Sequence, residues 1–338
     1  MLALRSPLAL EAHSPLVGAP LLVVDLAGDA PLSEVAPAAA MLSLLPCPTV
    51  GLAFVPLSPA GSRLAAEFDV LIEHEGDLEP VCASAARCPL AAATLVQLLR
   101  HGRALDLHER LIAESLAYST LQAGPEFAAW LAGRGGPRPA VEYAGPAVCV
   151  RREGPCLRLT LDRPRKHNAF SLEMRDALAE GLALALVDSS IEEVILDAKG
   201  PSFCSGGDLD EFGTFTDPST AHAVRSARSP ARLLSLCSSR TRADLHGACV
   251  GAGCELPAFC RRIRAREDAF FQLPEVGMGL VPGAGGTASL PTRIGRQRTA
   301  WLALSGSRID AATALRWGLV DEIASETGSG VLVPGARA

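Results

Sequence analysis

The chain is short of lysine and of aromatic residues. Only Lys166 and Lys199 carry an ε-amine in 338 residues, and Phe, Trp and Tyr together make up 4%. With a net charge of −6 and arginines scattered outside any basic block, there is no electrostatic footprint for nucleic acid. The lack of aromatics leaves the core to Ala, Leu and Val, within an apolar content of 49%. Also missing is a charge-free apolar run of the roughly 18 residues that a membrane-crossing helix needs. The first residues, MLALRSPLALEAHSPLVGAPLLVV, are broken by prolines and by Glu11, and lack the charged start and unbroken apolar stretch of a secretory leader. Ten cysteines are present, yet none form a Cys-x-x-Cys pair or a His/Cys cluster at zinc spacing. Cys249, Cys254 and Cys260 sit in apolar surroundings and read as small hydrophobes. These absences lead to the expectation of a reduced, cytoplasmic protein with no metal, nucleic-acid or membrane partner.

What is present is a pair of glutamates beside small-residue turns. Glu255 lies in LHGACVGAGCELPAFC and Glu275 in FFQLPEVGMGLVPGAGGTASL. Gly251, Ala252 and Gly253 precede Glu255, so backbone N–H groups there can approach a ligand closely, next to a carboxylate able to move protons. The stretch Gly283–Gly286 reads as a turn and is no P-loop, because no Gly-Lys-Ser/Thr follows it.

The Gly/Pro/Arg stretch 133–139 is the best internal boundary, giving segments 1–138 and 139–338. After it, strands are expected at Leu157–Leu161, Val194–Leu196 and Ala243–Val250, with helices at Leu172–Val187 and about Thr220–Leu236. Before it, LLVVDL and FDVLI read as strands, and Val35–Leu45, Ala91–Arg100 and Asp106–Leu121 as helices. Strands alternating with helices indicate an α/β fold.

Four stretches in order, LTLDRPRKHNAFSLEM, PSFCSGGDLDEF, LHGACVGAGCELPAFC and FFQLPEVGMGLVPGAGGTASLPTRIG, are followed by LSGSRIDAATALRWGLVDEI. Together they resemble the crotonase, or enoyl-CoA hydratase/isomerase, superfamily from about Cys149 to Ile323. The resemblance implies a spiral of ββα units with surrounding helices. It implies N–H donors at Gly207 and Ala252 for a thioester carbonyl, a positive helix end near Gly253, and acid–base work for Glu255 and Glu275. It places Arg165, Lys166, Ala169, Ser205, Asp208 and Leu209 along the coenzyme A moiety of the substrate. Asp208 reads as a helix N-cap, and His167 and His246 as packing or hydrogen-bonding residues.

The activity so implied is hydration of a 2-enoyl-CoA or dehydration of a 3-hydroxyacyl-CoA by a lyase without cofactor. The alternatives are a double-bond isomerase and a non-catalytic assembly module. A homo-oligomer, a trimer or a multiple of it, is expected. Only 15 residues follow Ile323, whereas Cys88–Arg134 looks like the family's terminal helices. CPTVGLAF and LAAEFDVLIEH look like worn copies of the family's core strands, lacking the glutamates. Residues 20–134 are therefore read as a shortened, degenerate crotonase-like half whose helices cap the Glu255/Glu275 pocket, in the same chain or a neighbouring one.

Overall fold

The structure, a computed structural model, describes residues 9–28, 31–135, 143–214, 217–324 and 331–332. Its largest sheet begins with a hairpin, Val148–Glu153 against Cys156–Leu161, closed at Gly154-Pro155 with Gly154 at φ +61°. Leu157, Leu159 and Leu161 alternate with polar residues and face the core, as a half-buried strand requires. Parallel strands Glu193–Ala198, Thr241–Leu245, Arg262–Arg266 and Glu322–Ala324 extend the sheet, and Val331–Leu332 closes its far edge antiparallel. The helix Leu172–Val187 returns the chain from the second strand to the third, capped by Ser171 Oγ on Met174 N–H. A second sheet pairs Ala248–Val250 with Phe270–Gln272 in parallel and Ile309–Asp310 on the other edge.

Two expected elements divide. The strand anticipated at Ala243–Val250 becomes Thr241–Leu245 in the large sheet and Ala248–Val250 in the small one. The corner is Gly247, at φ +55°, where a Cβ would lie 2.1 Å from Pro201 O. The helix anticipated over Thr220–Leu236 splits into Pro218–Ala227 and Pro230–Leu236. Pro230 forces Ser229 out of helical geometry, and Ser229 then caps the second helix through Arg232 N–H.

The amino-terminal segment forms its own parallel sheet, Leu22–Asp25, Thr49–Leu52 and Val70–Ile72. The expected helices appear as Leu32–Leu44, Pro89–His101 and Leu107–Gln122, the last opened by a capping box between Asp106 and Glu109. Val50, Val70 and Ile72 share one hydrophobic core with Leu157 and Ile263, so the two segments are packed as one body. At their junction buried Asp69 accepts from Arg100 Nε at 2.9 Å and Arg296 Nη1 at 2.9 Å, and from the Thr49 N–H and hydroxyl. The expected boundary at 138/139 lies outside the described residues. Among the described residues no single helix is long and apolar enough to cross a membrane.

Candidate active site

Two peptide N–H groups, those of Gly207 and Ala252, are turned by what their preceding carbonyls do. The Gly206 carbonyl accepts from Phe170 N–H at 2.7 Å. The peptide is trans, so the Gly207 N–H on the same plane points the opposite way. The Gly251 carbonyl accepts from Cys254 N–H at 2.7 Å and Glu255 N–H at 2.9 Å, which turns the Ala252 N–H outward in the same manner. Gly207 and Ala252 both line a cavity of about 230 Å³, together with Glu255 and Glu275. Glycine is required at the turn: Gly251 sits at φ +51°, and a Cβ there would lie 2.6 Å from Glu275 Oε1. The helix that starts at Ala252 is shorter than expected. It runs Ala252–Glu255 and passes at Pro257 into a 3₁₀ turn, so its dipole is that of a single turn.

Glu255 is buried, and its Oε2 accepts from the N–H groups of Ala284 and Gly286, each at 2.8 Å. Burial pushes its carboxyl well above the usual range, helped by the charges of Glu275 and Glu114. Glu275 opens the 3₁₀ turn Glu275–Met278, and its buried Oε2 has no hydrogen-bond partner among the described residues. Burial raises Glu275 to about 8, with Glu114 adding to the effect. Two buried carboxyls in one cavity hold one proton between them more readily than two charges, so they titrate as a pair.

A third carboxylate enters from the amino-terminal segment. Glu114, on the helix Leu107–Gln122, accepts from Gly285 N–H at 2.7 Å, Thr287 N–H at 2.8 Å and Thr287 Oγ1 at 2.6 Å. Successive N–H groups of the turn 284–287 thus alternate between Glu255 and Glu114. Burial lifts Glu114 to about 7, against the pull of those hydrogen bonds and of Arg225. Leu111, Ser115, Tyr118 and Gln122 of the same helix line the cavity, so in this chain the amino-terminal helix does wall the pocket of the carboxyl-terminal segment. Glu114 was missed in the sequence. The signal was a glutamate between Leu111 and Tyr118 on one helix face, where an apolar residue would be expected.

The residues placed along coenzyme A lie in and around the loop before Phe170, and none of them lines this cavity. Arg165 is exposed, and Leu209 is 40% exposed. Lys166 Nζ is held by Asp208 at 2.7 Å and Asp210 at 3.0 Å. Ala169 N–H donates to Lys166 O at 3.1 Å, and Ser205 N–H to His167 O at 3.0 Å. Asp208 caps no helix. A turn follows it, and its Oδ1 accepts from Asp210 N–H at 3.1 Å, the Asx geometry open to a short side chain where no helix begins. His167 and His246 bond Ser202 Oγ and Gly200 O, each at 2.9 Å. Cys249, Cys254 and Cys260 are buried, and burial pushes all three thiols up, Cys260 to about 12.

Two residues with outward-turned N–H groups share one cavity with two buried carboxyls, the components of an acid–base site with an oxyanion hole. Residues 151–329 match the family described as enoyl-CoA hydratase/isomerase, and the chain belongs to that family. A 2,3-dehydroadipyl-CoA hydratase of Escherichia coli (strain K12) is 34% identical over 52% of this chain and 68% of its own length. A mevalonyl-coenzyme A hydratase of Aspergillus fumigatus is 33% identical over 49% of this chain and 62% of its own. The chain thus spans about two thirds of the length of these relatives. The crystal structure of an enoyl-CoA hydratase/isomerase from Marinobacter aquaeolei is similar over 54% of this chain and 71% of that one, with TM-score 0.50 and 29% identity. A structure from Thermobifida fusca YX in complex with acetoacetyl-CoA is similar over 54% and 74%, with TM-score 0.50 and 26% identity.

Proposed function

We propose that this protein adds water to a 2-enoyl-CoA or removes it from a 3-hydroxyacyl-CoA. The observation that carries the reading is that Gly207, Ala252, Glu255 and Glu275 line one cavity. The thioester carbonyl sits between the two N–H groups, which stabilise the charge that develops on its oxygen. One donor of this kind supplies about 3 kcal/mol of barrier lowering. Water rests between the carboxyls; one takes its proton as oxygen attacks the β-carbon, and the other delivers a proton to the α-carbon. Substrate contact by the Arg165–Lys166 loop, with Ala169, Ser205, Asp208 and Leu209, belongs to this proposal. Lys166 would exchange its aspartates for phosphate. A cytoplasmic location and assembly as a trimer or a multiple of it belong here too.

The test is a panel of 2-enoyl-CoA thioesters followed by mass spectrometry for the gain of one water. Glu255→Gln and Glu275→Gln should each lower kcat on the order of 100-fold or more. No mass gain with any thioester refutes the reading. A second reading, double-bond isomerisation, draws support from Glu275, the carboxyl with a free oxygen and a pKa near neutrality. An isomerase would keep most of its rate in Glu255→Gln.

The amino-terminal segment is proposed to be a degenerate copy of the same spiral unit. Val50 pairs with Val70 and Ala243 with Ile263, a parallel register offset of 20 residues in both cases (70 − 50 and 263 − 243). Nine positions on from Val50 and Ala243, helices open at Pro59 and Ala252 (50 + 9 and 243 + 9). Proline has no N–H to donate, and the position matching Glu255 is Ser62 (50 + 12 and 243 + 12). The copy therefore has the scaffold without the donor or the acid.

A further inference from the structure

We propose that the cavity selects an acyl-CoA whose acyl chain ends in a carboxylate, and that Arg225 receives that group. The inference rests on the reading of the cavity as an acyl-CoA site and names the class of acyl group.

Arg225, on the helix Pro218–Ala227, lines the same cavity as Glu255 and Glu275. Its guanidinium is largely withdrawn from water and is held by neutral acceptors alone. Nε donates to Ser115 Oγ at 3.1 Å, Nη1 to Gln122 Oε1 at 3.3 Å, and Nη2 to Ser115 O at 3.3 Å and to Ser119 Oγ. These four bonds leave one of the five guanidinium hydrogens unspent. Among the described residues Arg225 forms no ion pair, whereas Arg175 and Arg228, the cavity's other arginines, share Asp176 at 2.7 and 3.1 Å. Burial works against the Arg225 charge, Tyr118 and Glu114 favour it, and Arg175 opposes it. The Glu114 oxygens accept from Gly285 and Thr287, and among the described residues Glu114 forms no hydrogen bond or ion pair with Arg225.

The location fits the far end of a short acyl chain. Arg225 Cζ lies 4.8 Å from the centroid of the Tyr118 ring. The Tyr118 ring in turn packs on Gly283, where a Cβ would lie 2.4 Å from Cδ2. Gly283 adjoins Ala284, whose N–H holds Glu255. The cation therefore stands one aromatic ring beyond the turn that holds Glu255.

A half-buried guanidinium bonded only to neutral acceptors bears a desolvation cost that Glu114, attracting it without contact, offsets only in part. An alkyl terminus would worsen this by excluding more water. A carboxylate would supply the missing charge and accept in the planar, forked geometry that arginine offers. Rejection of the uncharged chain follows, because a cavity that holds a guanidinium without a contacting counter-charge disfavours the analogue that brings none.

The experiment compares adipoyl-CoA and hexanoyl-CoA, which have equal chain length and differ in the terminal carboxylate. Both are saturated, so calorimetry reads recognition apart from catalysis. The full-length protein should bind adipoyl-CoA on the order of 10- to 100-fold more tightly. Arg225→Gln should collapse that ratio towards one by losing affinity chiefly for adipoyl-CoA, and Arg225→Lys should keep part of it. Circular dichroism checks that both variants fold. Equal dissociation constants in the parent overturn the proposal. An equal loss for both ligands in Arg225→Gln also overturns it, because it would put Arg225 on the coenzyme A portion or in the scaffold. The corresponding 2-enoyl-CoAs, tested in parallel, separate the two readings. A binding preference without hydration sinks the hydratase assignment and upholds carboxylate recognition. Hydration of both without preference does the reverse.

Discussion

Removing the Glu114 carboxylate should loosen the turn 284–287 from a distance of more than 100 residues in sequence. Glu114→Ala deletes three hydrogen bonds to a buried acid. At about 1.5–3 kcal/mol for each bond to a charged group, their sum is roughly 5–9 kcal/mol. Burial works against these bonds, lifting the carboxyl from 4.5 to about 7 even with them in place, so only part of that sum is expressed as stability. The net loss expected is about 4 kcal/mol, in the range seen when one partner of a buried charged pair is removed. Glu114→Gln keeps one acceptor and turns an NH₂ group against a backbone N–H, for a loss of about 2 kcal/mol. Activity should fall with stability, because Gly285 and Thr287 alternate with the Ala284 and Gly286 N–H groups that aim Glu255. A displacement of about 1 Å there costs on the order of 100-fold in rate. Urea unfolding and kcat for enoyl-CoA hydration read the two effects. If Glu114→Ala unfolds within about 1 kcal/mol of the parent and turns over at the same rate, the clamp has no role.

Three further outcomes follow from the same geometry. Gly251→Ala should abolish measurable hydration while leaving a folded protein. The new Cβ displaces Glu275 and meets a φ of +51°, a strain of about 1–2 kcal/mol that thermal unfolding would register. Stability should fall as pH rises from about 4.5 to about 8. Glu114, Glu255 and Glu275 all have folded-state pKa values above their unfolded ones, so their contribution is complete at low pH and is lost as each ionises. Denaturant midpoints that climb across that window would contradict the burial argument. Asp69→Ala should cost about 3–5 kcal/mol by leaving Arg100 and Arg296 facing each other without their shared carboxylate, seen as a lowered urea midpoint.

Most of the strands and helices were legible because their side-chain periods are local. CLRLTL alternates as a strand, and Leu172–Val187 has the same limits in sequence and structure. The misread elements failed at single backbone positions. Gly247 turns one apolar run into strands of two sheets, and Pro230 divides one helical run in two. Asp208 was read as a cap because its residue type suits one, but the chain after it makes turns. Glu255 and Glu275 could be singled out from sequence beside small-residue turns, and Gly207 and Ala252 through the resemblance of their motifs to the family.

The sequence by itself determined the family motifs, the order of strands and helices, and the identity of the two glutamates, all of which depend on residue type and near neighbours. Only the tertiary structure decided what surrounds them. It brought the helix Leu107–Gln122 against the turn 284–287, so that a third carboxylate, Glu114, shares that turn with Glu255. It also set Arg225 beside hydroxyls and an amide rather than a counter-charge. Those contacts join residues more than 100 positions apart, and charge, burial and hydrogen-bond supply at such a distance are properties of packing that no local pattern encodes.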